Sequence, residues 1–293
     1  MKRSPSLRVI DGGTAAPSPS GLARPDGPLV VSYGAGVDST AMLVEMVRRG
    51  VRPDLILFAD TGGELPETYA YVGYFSEWLQ SKGFPAITIV RRAQGRTSYT
   101  TLEGNCLANE TLPSLAFFGR KGCSQKWKRE PMDREVDRVF GKMARPEGRS
   151  KTGRRTKAKP GRTFKIVRAI GYDAGPKDMR RKAIPDDASN VYWYPLRELG
   201  WDRERCEAEI RREGLKLPIK SACFFCPARK PEELRRIMLE LPHLADRILA
   251  MEAAAAPHLD KVEGLWMRTT KARPGRMTDF ILAVRAEQTK AAA

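Results

Sequence analysis

The feature that most restricts this chain is a buried strand running into a glycine turn and then a helix, at "LVVSYGAGVDSTAMLVEMVRRG", Leu29 to Gly50. Leu29–Tyr33 reads as a buried strand, and Ser39–Arg49 as a helix stopped by Gly50. A second buried strand follows in "PDLILFAD", ending at Asp60, and then the loop "TGGEL". "PETYAYVGYFSEWLQSKG" reads as a helix with Pro66 in its first turn and Gly83 as its stop, and "AITIVRR" as a third strand. Strands alternating with helices at this spacing predict an α/β fold with a parallel sheet and crossover helices. Ligands of such sheets lie at the carboxyl ends of the strands.

Beyond the third strand, Gly95 to Gly122 is irregular and polar, the pattern of a long loop or lid. "SQKWKREPMDREVDRVF" has helical character around Pro131. "FKIVRAIGYD" gives a strand ending at Gly171, and "VYWYPL" a short one. Asp202 to Gly214 reads as a helix with a glycine stop, and further helical segments run to about Ala255. The first 28 residues, rich in Pro, Ser, Gly and Ala, read as a disordered leader. The expected organisation is that leader, a nucleotide-binding domain over 29–227 with a basic insert at about 141–165, and a helical C-terminal extension and tail over 228–293. The N-terminus lacks the apolar core of a secretion signal, and no stretch approaches the roughly 20 apolar residues that cross a bilayer. Cytoplasm, with no membrane partner, is the expectation.

Charge is high and unevenly placed. The formal net charge is +17, and "GKMARPEGRSKTGRRTKAKPGRTFK", Gly141 to Lys165, holds ten Lys or Arg against the single acid Glu147. Such a run is either a solvated, mobile loop or a contact for nucleic acid that acts on phosphates. Aromatic residues do not interleave it, so a base-stacking platform is not indicated. The two histidines, His243 and His258, lie outside every motif and are too few for a multi-histidine metal site.

The turn Gly34-Ala35-Gly36, between a buried strand and a helix N-terminus, turns backbone N–H groups and partial positive charge toward an anion. It is not a Walker A loop, because it ends Val37-Asp38-Ser39 where that loop needs Gly-Lys-Ser/Thr. A dinucleotide fingerprint fits Gly34 and Gly36 but meets Ser39 at its third glycine, with Asp60 as the ribose-holding acid. Asp38 decides against it: a carboxylate there repels a pyrophosphate unless a cation intervenes, and a Mg²⁺-bound triphosphate supplies one.

The stretch resembles the PP-loop of the ATP pyrophosphatase family, usually S-G-G-x-D-S, with Gly34 and Ala35 standing at the first two positions. Four further stretches resemble the phosphoadenylyl-sulfate (PAPS) reductase branch of that family: "FADTGGELPETY", "GCSQKWKREP", "RAIGYD", and the pair "YPLRELGW" and "SACFFCP". The likeness covers roughly Leu29 to Pro227. It implies an adenine nucleotide α-hydrolase-like (PP-loop, HUP-type) core with a helical C-terminal part. By that resemblance Ser32, Gly34, Ala35, Gly36, Asp38, Ser39, Asp60 and Gly171 form the nucleotide-binding set, with Asp38 also holding Mg²⁺. Lys126, Lys128 and Arg129 are expected to steady phosphates or sulfate, and Arg180 and Arg181 to reach phosphates from the next loop. Glu64 and Glu67 add acids at the sheet edge, Glu67 chiefly as a favourable residue at a helix N-terminus.

Five cysteines occur. Cys206 sits in a charged helical stretch and reads as incidental. Cys223-x-x-Cys226 has the spacing that lets two thiolates reach one metal centre, which is ambiguous among zinc, iron–sulfur, a redox dithiol and core thiols. Cys106 and Cys123 complete four ligands if the lid folds back. The resemblance favours a [4Fe–4S] cluster over Zn²⁺ and adds Cys123 to Asp38 as a catalytic candidate. The reductases use a cysteine on a mobile C-terminal tail, whereas the stretch from Thr269 onward has none. The expected function is therefore ATP- and Mg²⁺-dependent adenylylation of an acceptor with release of pyrophosphate, for sulfur transfer from a donor protein to nucleic acid (tRNA or DNA). The alternatives are reduction of PAPS itself, or a non-catalytic nucleotide sensor associated with DNA.

Overall fold

The computed structural model describes residues 22–292 apart from 94, 96, 120–121 and 150–151. The chain alternates β1 (Leu29–Tyr33), α1 (Val37–Arg48), β2 (Leu55–Asp60), α2 (Pro66–Ser81) and β3 (Ile87–Arg91). Next come α3 (Leu102–Ala108) and α4 (Gly122–Ser124), which continues through a π-helical turn, Gln125–Arg129, into α5 (Glu130–Phe140). A small hairpin, β4 (Gly148–Arg149) and β5 (Arg155–Thr156), precedes β6 (Ile166–Ile170), α6 (Pro176–Met179), β7 (Asn190–Trp193), α7 (Pro195–Glu198) and α8 (Arg203–Arg212). Three longer helices close the chain: α9 (Pro231–Glu240), α10 (Pro242–Ala255) and α11 (Met277–Ala292).

The central sheet has the order β3-β2-β1-β6-β7, and every neighbouring pair is parallel. This is the parallel α/β core with a helical C-terminal part that the sequence predicts. Alternate residues of each strand feed opposite faces. Val31, Tyr33, Ile56 and Phe58 pack toward Met42, Phe75 and Ile210 of α1, α2 and α8. Val30, Leu57, Ala59 and Ile166 pack toward Val136 of α5. The order reverses at β1, from which the chain leaves toward β2 and β3 and to whose other side it returns as β6. The switch point, where ligands of open α/β sheets bind, therefore lies at the carboxyl ends of β1 and β6.

A second core joins the cysteine loop to the C-terminal helices: Cys223, Phe224 and Phe225 pack with Leu234, Ile237, Ile248, Met251, Trp266, Met277 and Ile281. The expected boundary at Pro227 thus cuts through one hydrophobic core. Glu252, 1% exposed, fixes the last helix to it. Its carboxylate accepts the N–H of Leu265 (2.7 Å), of Met277 (3.0 Å) and of Thr278 (2.7 Å), and the Thr278 hydroxyl (2.6 Å). A carboxylate at a helix N-terminus satisfies donors that have no intrahelical partner and meets the positive end of the dipole.

Three expectations change. The lid after Gly95 contains α3, started by Thr101, whose hydroxyl accepts the Gly104 N–H at 3.0 Å. One buried stripe, Leu102 and Cys106, is too short a signal to separate from a loop by periodicity. Residues 1–21 of the expected leader lie outside the described residues, but the chain is packed from Leu22, 4% exposed, with Arg24 paired to Asp54 at 2.6 Å. The basic insert is a paired β-ribbon rather than an open loop. Among the described residues no helix is long and apolar enough to cross a membrane.

Candidate functional site

Two groups of side chains meet the carboxyl edge of the sheet. The first surrounds the turn after β1. Gly36 caps α1 without a side-chain hydrogen bond, so the first-turn N–H groups are those a helix leaves without an intrahelical acceptor. Ala35 holds φ +54°, a left-handed conformation that costs a non-glycine residue roughly 1–2 kcal/mol. The Ser39 hydroxyl laces the turn internally, accepting the Gly34 N–H and donating to the Gly36 carbonyl, both at 3.2 Å. Ser32 pairs in the sheet with Leu57 and Ile170, which places it two residues before the turn.

Gly171, after β6, closes the other side. A Cβ built there would lie 2.8 Å from the Cα and N of Ser39 and 3.1 Å from the Asp38 carbonyl carbon. The close approach it permits is to the backbone of α1. Beyond it the carboxylates of Asp38, Asp173 and Asp178 come within 4.8 Å of one another. Asp173 and Asp178 are each 7% exposed. Burial raises the Asp38 pKa; Arg203, at 3.2 Å, opposes the shift, and the charges of Asp173 and Asp178 reinforce it. Sequence reasoning named Asp38 alone. Asp173 was visible as the last residue of "RAIGYD", but α6 and Asp178 carry no pattern that a sequence reading separates from loop. On the β7 side Tyr172 and Tyr194 stack at 5.7 Å, with the Arg197 guanidinium 5.3 and 5.1 Å from the two rings and Arg181 5.2 Å from Tyr172. Arg181 is also paired to Asp178 at 3.2 Å, while Arg180 is exposed.

Asp60, expected in the nucleotide set, is instead consumed inside the protein. It is 3% exposed and accepts the Gly62 N–H (2.7 Å), the Tyr69 hydroxyl (2.6 Å) and Arg91 (2.7 Å). Burial pushes its pKa up, and these three donors outweigh that and hold it below the ordinary carboxylate value. Glu67 pairs with Arg236 of α9.

The second group lies on the loop after β2. Cys106, Cys123, Cys223 and Cys226 pack around one core, while Cys206 is buried apart in α8 against the first. The loop Cys223–Cys226 docks through the Phe224 N–H on the Gly63 carbonyl at 2.7 Å. A Cβ at Gly63 would lie 2.7 Å from the Phe225 ring and 3.2 Å from the Cys223 Cβ, so that residue leaves room for the loop. Hydroxyls face two sulfurs: Thr61 Oγ1 is 3.0 Å from Cys223 Sγ, and Ser114 Oγ is 3.0 Å from Cys123 Sγ. Burial pushes the Cys106 thiol up to about 12, with Cys123 and Cys223 adding to the shift, and the Cys223 thiol up to about 12, with Glu64 and Cys226 adding. Burial also raises Cys226, with Cys123 among its neighbours. Cys106, Cys223 and Cys226 therefore each sense at least one other of the four.

Charged groups attend this centre. Lys128 pairs with buried Glu64 at 3.4 Å; burial disfavours its charge, but Glu64, Cys223 and Cys226 raise its pKa overall. Arg229, 2% exposed, donates to the carbonyls of Cys223 (2.9 Å) and Ala222 (2.6 Å). Of the expected basic trio, Lys128 alone faces the sulfurs. Lys126 is exposed. Arg129 turns toward Asp133, Asp187 and Tyr192, where it lines a cavity of about 350 Å³ before β7 with Arg162 and Arg168. The π-helical turn over Gln125–Arg129 separates these neighbours around the helix axis.

Tetrahedral zinc, with Zn–S of about 2.3 Å, brings its thiolates to within roughly 3.8 Å of one another. Among the described residues the cysteine sulfurs do not supply three ligand atoms all within 4.8 Å of one another, whereas the aspartates do. A four-iron cluster is larger than one ion and takes four cysteine thiolates, and four cysteines are gathered in this core.

No family model matches the chain. No curated protein matches it in sequence. Among solved structures it is similar to phosphoadenylyl-sulfate (PAPS) reductase from Candida auris in its phosphate complex, at 15% identity and a TM-score of 0.40, with 66% of this chain and 75% of that chain covered.

Proposed function

We propose that this chain is a nucleotide-dependent enzyme that binds ATP with Mg²⁺ at the switch point and adenylylates an acceptor, with the cysteine centre serving a subsequent sulfur transfer. The observation that carries the reading is the meeting of Asp38, Asp173 and Asp178 at the first turn of α1. A helix N-terminus attracts phosphate, three carboxylates repel it, and a hard divalent cation between them reconciles the two. Three oxygen donors suit Mg²⁺, which keeps part of its shell for water and substrate phosphates. When bound, it would neutralise charge on the triphosphate.

The protein's own contribution is positioning and electrostatics. The α1 N–H groups would hold the leaving phosphates. Gly171 fixes the distance between the two loops, and the Tyr172–Tyr194–Arg197 stack offers a flat, polarisable wall for a base. An acceptor oxygen attacks the α-phosphorus, the α–β P–O bond breaks, and pyrophosphate leaves with the electron pair. A sulfur nucleophile then displaces AMP from the acceptor. Cys106, Cys123, Cys223 and Cys226 would hold a [4Fe–4S] cluster, whose chemistry is to bind or relay sulfur or electrons. Thr61 and Ser114 would donate to the coordinated sulfurs, a contact that tunes such a centre.

The test is isotope exchange between pyrophosphate and ATP in the presence of candidate acceptors, run beside calorimetry of ATP binding. Acceptor-dependent exchange that is lost in Asp38→Asn supports the reading. Folded protein that gives no heat with ATP or its non-hydrolysable mimics sinks it.

A further inference from the structure

The basic insert is not used by the site above, and its backbone has a regular form. Arg145 and Lys159 exchange both N–H···O bonds, at 2.9 and 2.8 Å. Further out, Gly148 pairs with Thr156 and residue 149 with Arg155, antiparallel. The pairs share one register: Gly148 lies three residues after Arg145, and Thr156 three before Lys159. Since side chains alternate across a ribbon, Arg145, Glu147, Arg155, Lys157 and Lys159 fall on one face. The other face carries Pro146, Gly148, Thr156, Ala158 and Pro160, all small or rigid and uncharged. The base is fixed by Arg162, 8% exposed, which donates to the carbonyls of Gly141 and Phe164 at 2.9 Å and of Ser189 at 3.2 Å.

Within itself this arrangement is unfavourable. Like charges directly opposite across a ladder destabilise it, as Arg145 and Lys159 are, and the one acid on the face, Glu147, is engaged with Arg155 at 2.8 Å. A polyanion removes the cost. We propose that this ribbon is a docking arm for double-stranded DNA, laid along or into the major groove with its cationic face on the phosphates. The B-DNA major groove, about 12 Å wide, admits a two-stranded ribbon, whereas the A-form RNA major groove is too deep and narrow for side chains to read. The uncharged face has no aromatic on which single-stranded bases would stack, and no large apolar residue to enter a lipid interface. The inference goes beyond the nucleotide reading and does not depend on it.

Fluorescence anisotropy of the full chain against a 20-base-pair DNA duplex over a salt series tests the arm. The comparison ligands are an RNA duplex, a single strand of the same length, and phosphatidylserine vesicles. In Arg145→Ala/Lys157→Ala/Lys159→Ala the slope of log affinity against log salt should become shallower by about 2.7, at roughly 0.9 for each lost phosphate contact. Affinity at low salt should fall at least about tenfold. Glu147→Gln, which frees Arg155, should steepen the slope by up to about 0.9. The charge-matched control Lys216→Ala/Lys261→Ala/Lys271→Ala should keep the wild-type slope, and ATP heats should be the same in every variant. Equal effects in control and ribbon variants would overturn the proposal, as would tighter binding of RNA, single strands or vesicles than of duplex DNA.

Discussion

Replacing Gly171 by alanine tests whether the two loops of the switch point are held at a fixed separation. The added Cβ would meet Ser39 Cα and N at 2.8 Å and the Asp38 carbonyl carbon at 3.1 Å. These are backbone atoms in the first turn of α1, so no side chain can rotate away, and the loops must part by several tenths of an ångström. Overpacking of this kind costs about 1–3 kcal/mol, or a fall in Tm of about 2–12 °C at the 2–4 °C per kcal/mol expected for this size. The displacement falls on the helix end proposed to hold phosphate, so ATP affinity should drop more than stability does. Gly73→Ala is the matched control. It lies exposed within α2 with nothing within 4 Å of its Cβ position, and it should stabilise by about 0.5–1 kcal/mol through helix propensity. Thermal melts and calorimetry read both. A Gly171→Ala protein as stable as wild type would refute the steric argument; lowered stability with unchanged ATP binding would refute the link from that contact to the nucleotide.

Three further outcomes follow from other residues. Asp60→Asn should cost about 2 kcal/mol through its lost charged hydrogen bonds and should flatten the acid limb of stability. Because the folded pKa of Asp60 is depressed, its contribution is complete above the ordinary carboxylate value and is lost as pH falls through the lower folded one; urea melts from pH 6 downward measure it. Glu252→Gln turns an amide NH₂ toward backbone donors in the second core and should cost about 2–4 kcal/mol, read as a Tm fall of about 4–16 °C. Iron and sulfide per chain, after anaerobic purification, should drop in serine variants of Cys106, Cys123, Cys223 or Cys226 and stay unchanged in Cys206→Ala.

The sheet was legible because its strands are short continuous apolar runs separated by strong punctuation, and Gly50 and Gly83 end their helices at positive φ as glycine stops do. The turn after β1 was legible for the same reason. Asp178 and Arg203 were not, because they reach Asp38 from α6 and α8 across more than a hundred residues, and nothing local marks a residue for a distant partner. Asp60 misled in the opposite sense. Its position at a strand end is where a ribose acid belongs, but Tyr69 and Arg91 had already taken its oxygens. The cysteines divided as a matter of packing: Cys206 faces the core under α1, while Cys106 joins the other three only because α3 forms inside a stretch that reads as loop.

The cluster proposed for the second centre would sit among charges of both signs. A [4Fe–4S]²⁺ core with four thiolates carries a net charge of −2 by formal count. Buried with no counter-charge, such a group would be costly. Lys128 and Arg229 each sense both Cys223 and Glu64, and each is anchored by its own acceptor, Glu64 for one and the carbonyls of residues 222 and 223 for the other. Free cysteines pack as small hydrophobes, and the two cations also face carboxylates, Lys128 that of Glu64 and Arg229 those of Glu64 and Glu233. Arg229 lies just after Cys223-x-x-Cys226 and holds that loop through its carbonyls. In the reading proposed above, Lys128 and Arg229 would offset the net negative charge of the cluster.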